Sequence, residues 1–97
     1  MHVAALRVDL LVPGAHSLKA KRSVVKSVKH ELNATFGAAV AEVDHQDLWQ
    51  RCALGVSLVS PQAGHLDRKI HTVRRHLEGR HDIEVLDVGV SFLEKPA

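Results

Sequence analysis

Four segments of the chain alternate apolar and polar residues with a period of two, which is typical of strands buried on one face. They cover residues 2–12, 38–44, 48–60 and 83–93. Two further segments, 17–36 and 62–80, carry apolar residues at spacings of three, four and seven, which predicts amphipathic helices. The predicted order is therefore strand, helix, strand, strand, helix, strand.

The ends of these elements carry ordinary stop and start signals. Pro13-Gly14 breaks the first strand, and Ser17 is placed to cap the first helix with its side-chain oxygen. Gly37 follows the last apolar position of that helix, as a left-handed C-cap does. These signals support the element boundaries that the periodicity indicates.

We expect the core to form from the inward positions of the six elements. These are Ala4, Leu6, Val8, Leu10 and Val12; Leu18, Val25, Val28, Leu32 and Phe36; Leu48, Cys52, Leu54, Val56 and Leu58; Leu66, Ile70, Val73 and Leu77; and Leu86, Val88, Val90 and Phe92. Lys21 also falls on the apolar side of its helix. We expect its stem to pack there while its ammonium group reaches water or a carboxylate.

This element order predicts an α+β protein with the ferredoxin-like split βαβ fold (βαββαβ). Two right-handed βαβ halves then form a four-stranded antiparallel sheet with both helices on one face. The first and third strands lie at the centre, and the fourth strand lies beside the first. With 97 residues and 45% hydrophobic content, we expect a single domain spanning 1–97.

The face without helices is predicted to have a floor of small side chains and a charged rim. The floor comprises Ala5, Ala53, Gly55, Ser57, Gly89 and Ser91, and the rim comprises Arg7, Asp9, Trp49, Arg51 and Asp87. Small side chains let another surface approach closely, and rim charges of both signs suit pairing across a two-fold axis. This pattern favours a homodimer, with Arg7, Asp44, Asp47, Trp49, Arg51 and Gly55 as partner contacts.

Charge is distributed unevenly, although the net charge is only +2. The first helix carries Lys19, Lys21, Arg22, Lys26 and Lys29 against one glutamate, Glu31. A basic face of this size, with Lys19, Arg22 and Lys26 in one ridge at helical spacing, is typical both of a polyanion-binding surface and of a solvated helix face. We interpret these five basic residues as a candidate RNA-binding or anion-binding surface.

The connector between the second and third strands holds the densest group of chemically active side chains. Asp44, His45 and Asp47 suggest a metal site or acid and base catalysis, but neighbouring strand positions point to opposite faces. We favour the alternative, in which the Asp and His side chains of this loop cap the turn and form ion pairs with Arg51. A phosphate contact at the loop 13–17 is a further alternative, although the loop matches no nucleotide-binding motif.

Other features narrow the classes of protein that fit. A single cysteine, Cys52, excludes an internal disulfide, and its apolar setting indicates a buried packing residue. The sequence contains no apolar run of membrane-spanning length and no signal-peptide pattern. We therefore expect a cytoplasmic protein with no membrane contact. Because the candidate metal and acid–base motifs are weak, we also expect no cofactor, no metal and no catalytic residues.

Two motifs resemble a known bacterial family. Ser17-Leu18-Lys19-Ala20-Lys21-Arg22 and the segment 41–51, AEVDHQDLWQR, are similar to motifs of the YlxP-like family, a domain family of unknown function. The motif positions include Lys19, Lys21, Arg22, Lys26, Asp44, Asp47, Trp49 and Arg51. Ala20 departs from the family pattern, which usually has glutamate there and thereby a capping box. The resemblance covers essentially the whole chain and implies a ferredoxin-like fold.

The resemblance also implies a genomic setting beside genes for translation initiation and ribosome maturation, but no activity. The leading hypothesis is a non-enzymatic accessory protein that binds ribosomal or other structured RNA through the basic ridge. The second is a homodimeric interaction module that docks through the open sheet face. The third, which the spacing supports least, is a phosphate-handling or metal-assisted enzyme that uses His45 with Asp44 and Asp47.

Overall fold

The computed structural model describes residues 1–93. It contains the strands β1 (His2–Leu11), β2 (Ala39–Asp44), β3 (Arg51–Ser60) and β4 (Glu84–Leu93) and the helices α1 (Leu18–Phe36) and α2 (Ala63–Glu78). The predicted order of the six elements is confirmed, and their ends agree closely with the periodicity. The main difference is β3, which begins at Arg51, so that Leu48 and Trp49 belong to the connector.

The four strands form one antiparallel sheet in the order β2-β3-β1-β4. Together with the βαββαβ element order, this is the predicted ferredoxin-like arrangement. The central pair β1 and β3 aligns His2 with Ser60 and Leu11 with Arg51. Residues that lie opposite each other share a face of the sheet, so this register defines which side chains lie under the helices.

The core lies between the helices and one face of the sheet. In β1, Ala4, Leu6, Val8 and Leu10 are buried, and every second residue points to the other face. The predicted inward positions Leu66, Ile70, Val73 and Leu77 of α2 are buried as well. The inward residues of the strands, which recur every two positions, and those of the helices, which recur about every 3.6, therefore pack together in one continuous core.

The caps of α1 follow the sequence signals. Ser17 Oγ accepts a hydrogen bond from the Ala20 amide at 3.0 Å. At the other end, Gly37 adopts a left-handed backbone conformation with φ 65°, and its amide donates to the Asn33 carbonyl. Glycine adopts this conformation without the steric cost of a Cβ atom. These caps set where α1 begins and ends on the sheet.

Strand β4 differs from its predicted pattern. The register between β1 and β4 shifts between Asp9 and Leu10, so Asp9 aligns with Asp87 while Leu10 aligns with Val85. Leu86 is the extra residue of this β-bulge and is 45% exposed, whereas Val85 packs on the core. The prediction that Leu86 points inward was therefore wrong, because a bulge reverses strand parity.

Val90 and Phe92 keep the predicted parity but are not core residues. They align with the buried residues Leu6 and Ala4, yet Val90 is 41% exposed and Phe92 is 55% exposed. Strand β4 lies at the edge of the sheet, and an open groove lies between its second half and α2. No helix among residues 1–93 is long and apolar enough to cross a membrane.

Candidate functional site

The connector between β2 and β3 is attached to the start of α1 by a buried lysine. Lys21 is only 1% exposed, and its Nζ donates to the His45 carbonyl oxygen at 2.6 Å. The same ammonium group lies 2.9 Å from Oε2 of Glu42. A buried charge needs such partners because burial removes its hydration. Lys21 therefore joins the two motifs that resemble the YlxP-like family.

The turn itself is held by Asp44 and His45. His45 has a positive φ of 61°, a conformation that costs energy for most residues with a side chain. Its amide donates to Oδ1 of Asp44 at 2.8 Å, and its carbonyl also accepts from the Leu48 amide at 3.1 Å. The Asp44 side chain therefore caps the turn as the sequence suggested, whereas His45 contributes through its backbone.

Asp44 also forms an ion pair, but with a different arginine from the one expected. Arg7 Nη2 donates to Oδ2 of Asp44 at 3.2 Å, and Arg7 Nε lies 3.5 Å from Asp9. The His45 amide, followed by Arg7, holds the pKa of Asp44 below its usual value. Arg51 Nε is buried without a hydrogen-bond partner among residues 1–93. Ion pairing from this loop to Arg51 was predicted, but Asp44 pairs with Arg7 instead.

A glutamine attaches the other end of the connector to the loop before α1. Gln50 Nε2 donates to the carbonyls of Pro13 at 3.3 Å and Ala15 at 3.2 Å, and the Gln50 carbonyl accepts from the Val12 amide. Trp49, next to it, is 54% exposed. The connector is thus clamped at both ends, and it presents an exposed indole at the surface.

The catalytic or metal-binding interpretation of the connector finds no matching geometry. Asp44 Oδ1 and His45 Nδ1 are 3.8 Å apart, but no group of three His, Cys, Asp or Glu side chains within residues 1–93 could hold a metal ion. Asp44 is already engaged by Arg7 and by the turn. The contacts of Asp44 and His45 within residues 1–93 therefore stabilise the loop.

The basic residues of α1 divide into two groups. Lys19, Arg22 and Lys26 are exposed and Lys29 is partly buried, whereas Lys21 is buried beneath the connector. We define the basic ridge as Lys19, Arg22, Lys26 and Lys29. Lys21 was included in the predicted anion-binding set, but its burial and its three oxygen neighbours remove it from any external surface.

The single acidic residue of α1 lies on the opposite flank of the helix. Glu31 Oε2 contacts His76 Nε2 at 2.8 Å and Arg80 Nη1 at 2.9 Å, which orients Glu31 toward α2 and the turn after it. The helical spacing of 3.6 residues per turn therefore directs the basic ridge away from α2. Glu31 does not neutralise the ridge.

The sequence did not reveal the network around Arg80. This guanidinium donates through Nε and Nη2 to both oxygens of Asp82, at 2.9 and 2.7 Å, besides its contact with Glu31. Hydrogen bonds from His76 and then Arg80 lower the pKa of Glu31, and Arg80 lowers the pKa of Asp82. Arg80 ends the predicted second helix and Asp82 follows it, so the periodicity of the helix indicates no partner for either residue.

The remaining predicted site residues lie on or beside the open sheet face. Register places Arg7, Ala53 and Gly55 on that face, but Ala53 is fully buried. A Cβ atom at Gly55 would lie 2.9 Å from Cγ1 of Val43, so the Val43 side chain covers this glycine. Asp47 is exposed on the connector. Arg7 lies opposite Gly55 in the register and pairs with Asp44, whereas Asp47 and Trp49 lie on the connector.

Comparison with known proteins identifies the family of the chain. The family described as "Protein of unknown function (DUF503)" matches residues 3–90. The chain belongs to this family. It is also 28% identical over 76 residues to the "Uncharacterized protein YlxP" of Bacillus subtilis (strain 168). The aligned segment covers 78% of this chain and 83% of that protein. The resemblance inferred from the two motifs is thereby confirmed, and neither description assigns an activity.

Proposed function

We propose that this DUF503 protein is a non-enzymatic cytoplasmic accessory protein that binds ribosomal or other structured RNA through the basic ridge. The observation that carries the proposal is that no acidic side chain among residues 1–93 forms a salt bridge with the basic ridge. Within residues 1–93, no salt bridge involves Lys19, Arg22, Lys26 or Lys29. Four cations on one flank are therefore available to an external polyanion.

The geometry of the ridge suits phosphate contacts. Its residues follow one another at spacings of three, four and three, so neighbours lie about 5–6 Å apart on one face of the helix. The ridge extends about 15 Å along the helix axis. Such a row can follow a phosphate backbone, and each neutralised phosphate contributes to a salt-dependent affinity.

The open sheet face does not suit base recognition, and this favours RNA binding through phosphate contacts of α1. Ala5, Gly55, Ser57 and Gly89 occupy its centre, so it lacks the aromatic side chains on which RNA-recognition sheets stack bases. Recognition through α1 would depend on the phosphates and on RNA shape. We therefore expect binding to tolerate changes of base sequence.

The proposal is tested with a charge-reversed ridge and a matched control. The test variant changes Lys19, Arg22 and Lys26 to glutamate, and the control changes the exposed α2 residues Arg68, Arg74 and Arg75 to glutamate. Both variants lose the same net charge. Binding to purified ribosomal RNA, measured at several salt concentrations, should be lost in the ridge variant and largely kept in the control. Equal losses in both variants, or no loss in the ridge variant, would reject the ridge as the RNA site.

A second candidate is an interaction module that docks through the open sheet face. It is favoured by a shallow depression of about 320 Å³ on that face, whose lining includes Ala5, Ala39, Ala41 and Ser57. The rim charges support it less, because Arg7 already pairs with Asp44 and Asp9 in the same chain. Ser57→Arg would fill the depression without the Val43 contact that complicates Gly55. Loss of self-association in Ser57→Arg would support this docking mode, and unchanged self-association would exclude it for a second copy.

A further inference from the structure

The second half of β4 carries apolar side chains that the rest of residues 1–93 covers only in part: Val88 packs partly on the core, whereas Val90 is 41% exposed and Phe92 is 55% exposed. Val88, Val90 and Phe92 face the helix side of the sheet, where a groove of about 230 Å³ separates them from α2. Ile70 forms part of the groove, and His71 and Arg74 line its α2 side. The groove runs along the free edge of the sheet.

The two edges of the sheet differ in how they are protected. The β2 edge is six residues long, carries Glu42 and Asp44, and is interrupted by a register shift between them. Short length, charge and a bulge all discourage further strand pairing. In β4, the regular part after the bulge runs from Asp87 to Leu93 and has no charged residue beyond Asp87. An edge of this kind is a template for another strand.

We propose that a second copy of this chain occupies the β4 edge, with the two β4 strands paired antiparallel about a two-fold axis at Val90. Val90 is the centre of the regular segment Asp87–Leu93. This register places Val88 opposite Phe92 of the partner subunit on the helix side. It places Asp87 opposite Leu93 of the partner subunit on the open face, so that no two like charges oppose each other.

The self-complementary pattern of β4 is the reason that a second copy fits. In this register the apolar residues Val88 and Val90 oppose Phe92 and Val90 of the partner subunit, and the two-fold axis repeats each contact, as an isologous interface requires. Phe92 from each subunit would extend the apolar wall of the other's groove beside Val88 and Ile70. The pairing joins two four-stranded sheets into one of eight strands, with all helices on the same side. It goes beyond the proposed RNA binding, because the basic ridge lies on α1, away from β4.

A site-specific crosslink tests the register. In an antiparallel sheet, directly opposed Cα atoms are about 4.5–5.5 Å apart, within the range that a disulfide spans. Val90→Cys should therefore form a disulfide-linked dimer under mild oxidation. Val59→Cys is the control, because Val59 is 54% exposed on β3, away from the β4 edge. The native Cys52 is buried and its pKa is raised to about 12, so it does not compete. Equal crosslinking in both variants would overturn the proposed pairing.

Sedimentation of uncrosslinked protein supplies the independent measurement. The wild type should shift from the mass of one 10.6 kDa chain toward twice that mass over roughly 10 µM to 1 mM, since small interfaces are weak. Phe92→Glu should raise the dissociation constant by about tenfold or more, whereas Val59→Glu should leave it within about twofold. A wild type that stays monomeric throughout, or a dimer that Ser57→Arg disrupts and Phe92→Glu does not, would overturn the proposal. RNA binding by Phe92→Glu should remain unchanged, which separates this result from the test of the ridge.

Discussion

The ammonium nitrogen of Lys21 lies 2.9 Å from Oε2 of Glu42, and this buried pair joins the first turn of α1 to the end of β2. Each of these charges depends on the other, because Lys21 is 1% exposed and Glu42 is largely covered. The ammonium group also donates to the His45 carbonyl, so one side chain connects the helix, the strand and the turn. This contact is one of those that hold the connector against α1.

Replacement of Lys21 by methionine should destabilise the protein by about 3–5 kcal/mol, because it leaves the Glu42 carboxylate buried without its counterion. Urea unfolding followed by the fluorescence of Trp49 measures the free energy of unfolding. The exposed Lys19→Met should change it by less than about 0.5 kcal/mol. The double variant Lys21→Met with Glu42→Leu should recover part of the loss. A single variant as stable as the wild type would show that the pair contributes nothing.

Removal of one cation from the ridge should weaken RNA binding in a graded way. Lys26→Ala should reduce affinity for unrelated RNA sequences by a similar factor and lower the salt slope by about one unit, as loss of one phosphate contact does. Binding isotherms at four or more salt concentrations give the slope. Lys69→Ala on α2 is the single-site control, because it removes the same charge outside the ridge. A slope equal to that of the wild type in Lys26→Ala would contradict phosphate contact at this residue.

The Arg80 network should make stability sensitive to acid. Its hydrogen bonds lower the pKa of Glu31 and of Asp82 in the folded state. A lowered folded pKa contributes stability above the unfolded value, and this contribution is lost as the pH falls through the folded pKa. Unfolding measured between about pH 5 and pH 2 should therefore show a smaller loss in Asp82→Asn than in the wild type. Glu78→Gln, which removes only the exposed pair with Arg74, should leave the slope nearly unchanged.

Cys52 should be unreactive in the folded protein. Burial, followed by the charge of Glu42, raises the pKa of its thiol to about 12, so the nucleophilic thiolate is scarce at pH 8. An alkylating reagent should label native protein far more slowly than protein unfolded in urea, as mass spectrometry can follow. In Lys21→Met, faster labelling would report opening of the connector. Rapid labelling of the folded wild type would contradict the burial of Cys52.

Gln50→Ala should show how firmly the connector is held at its second end. The substitution removes the bonds to the Pro13 and Ala15 carbonyls and should cost about 1–2 kcal/mol of unfolding free energy. Gln46→Ala removes only one long contact, 3.5 Å to the Glu42 carbonyl, and should cost less. Urea unfolding compares the two variants. A larger loss in Gln46→Ala would place the main attachment elsewhere.

The spacing of apolar residues predicted most of the fold, because it differs between strands and helices and can be recognised within each element. Alternation in β1 and the apolar stripe of α2 correspond directly to buried faces. The same pattern contained a signal for the buried pair, since Lys21 falls on the apolar side of its helix and Glu42 shares the parity of Val40. It did not reveal that the two meet, because pairing between distant elements depends on how α1 packs on the sheet.

The sequence by itself determined the order of the elements, the ferredoxin-like fold, the ends of α1 and the existence of a basic flank. These properties depend on neighbours within a few residues, where periodicity and capping act. The tertiary structure decided the partners: Arg7 and not Arg51 for Asp44, burial for Lys21, and exposure for Leu86 and Phe92. A bulge in β4 exposes Leu86, and the groove between β4 and α2 leaves Phe92 exposed. Both are consequences of long-range packing, which no local period encodes.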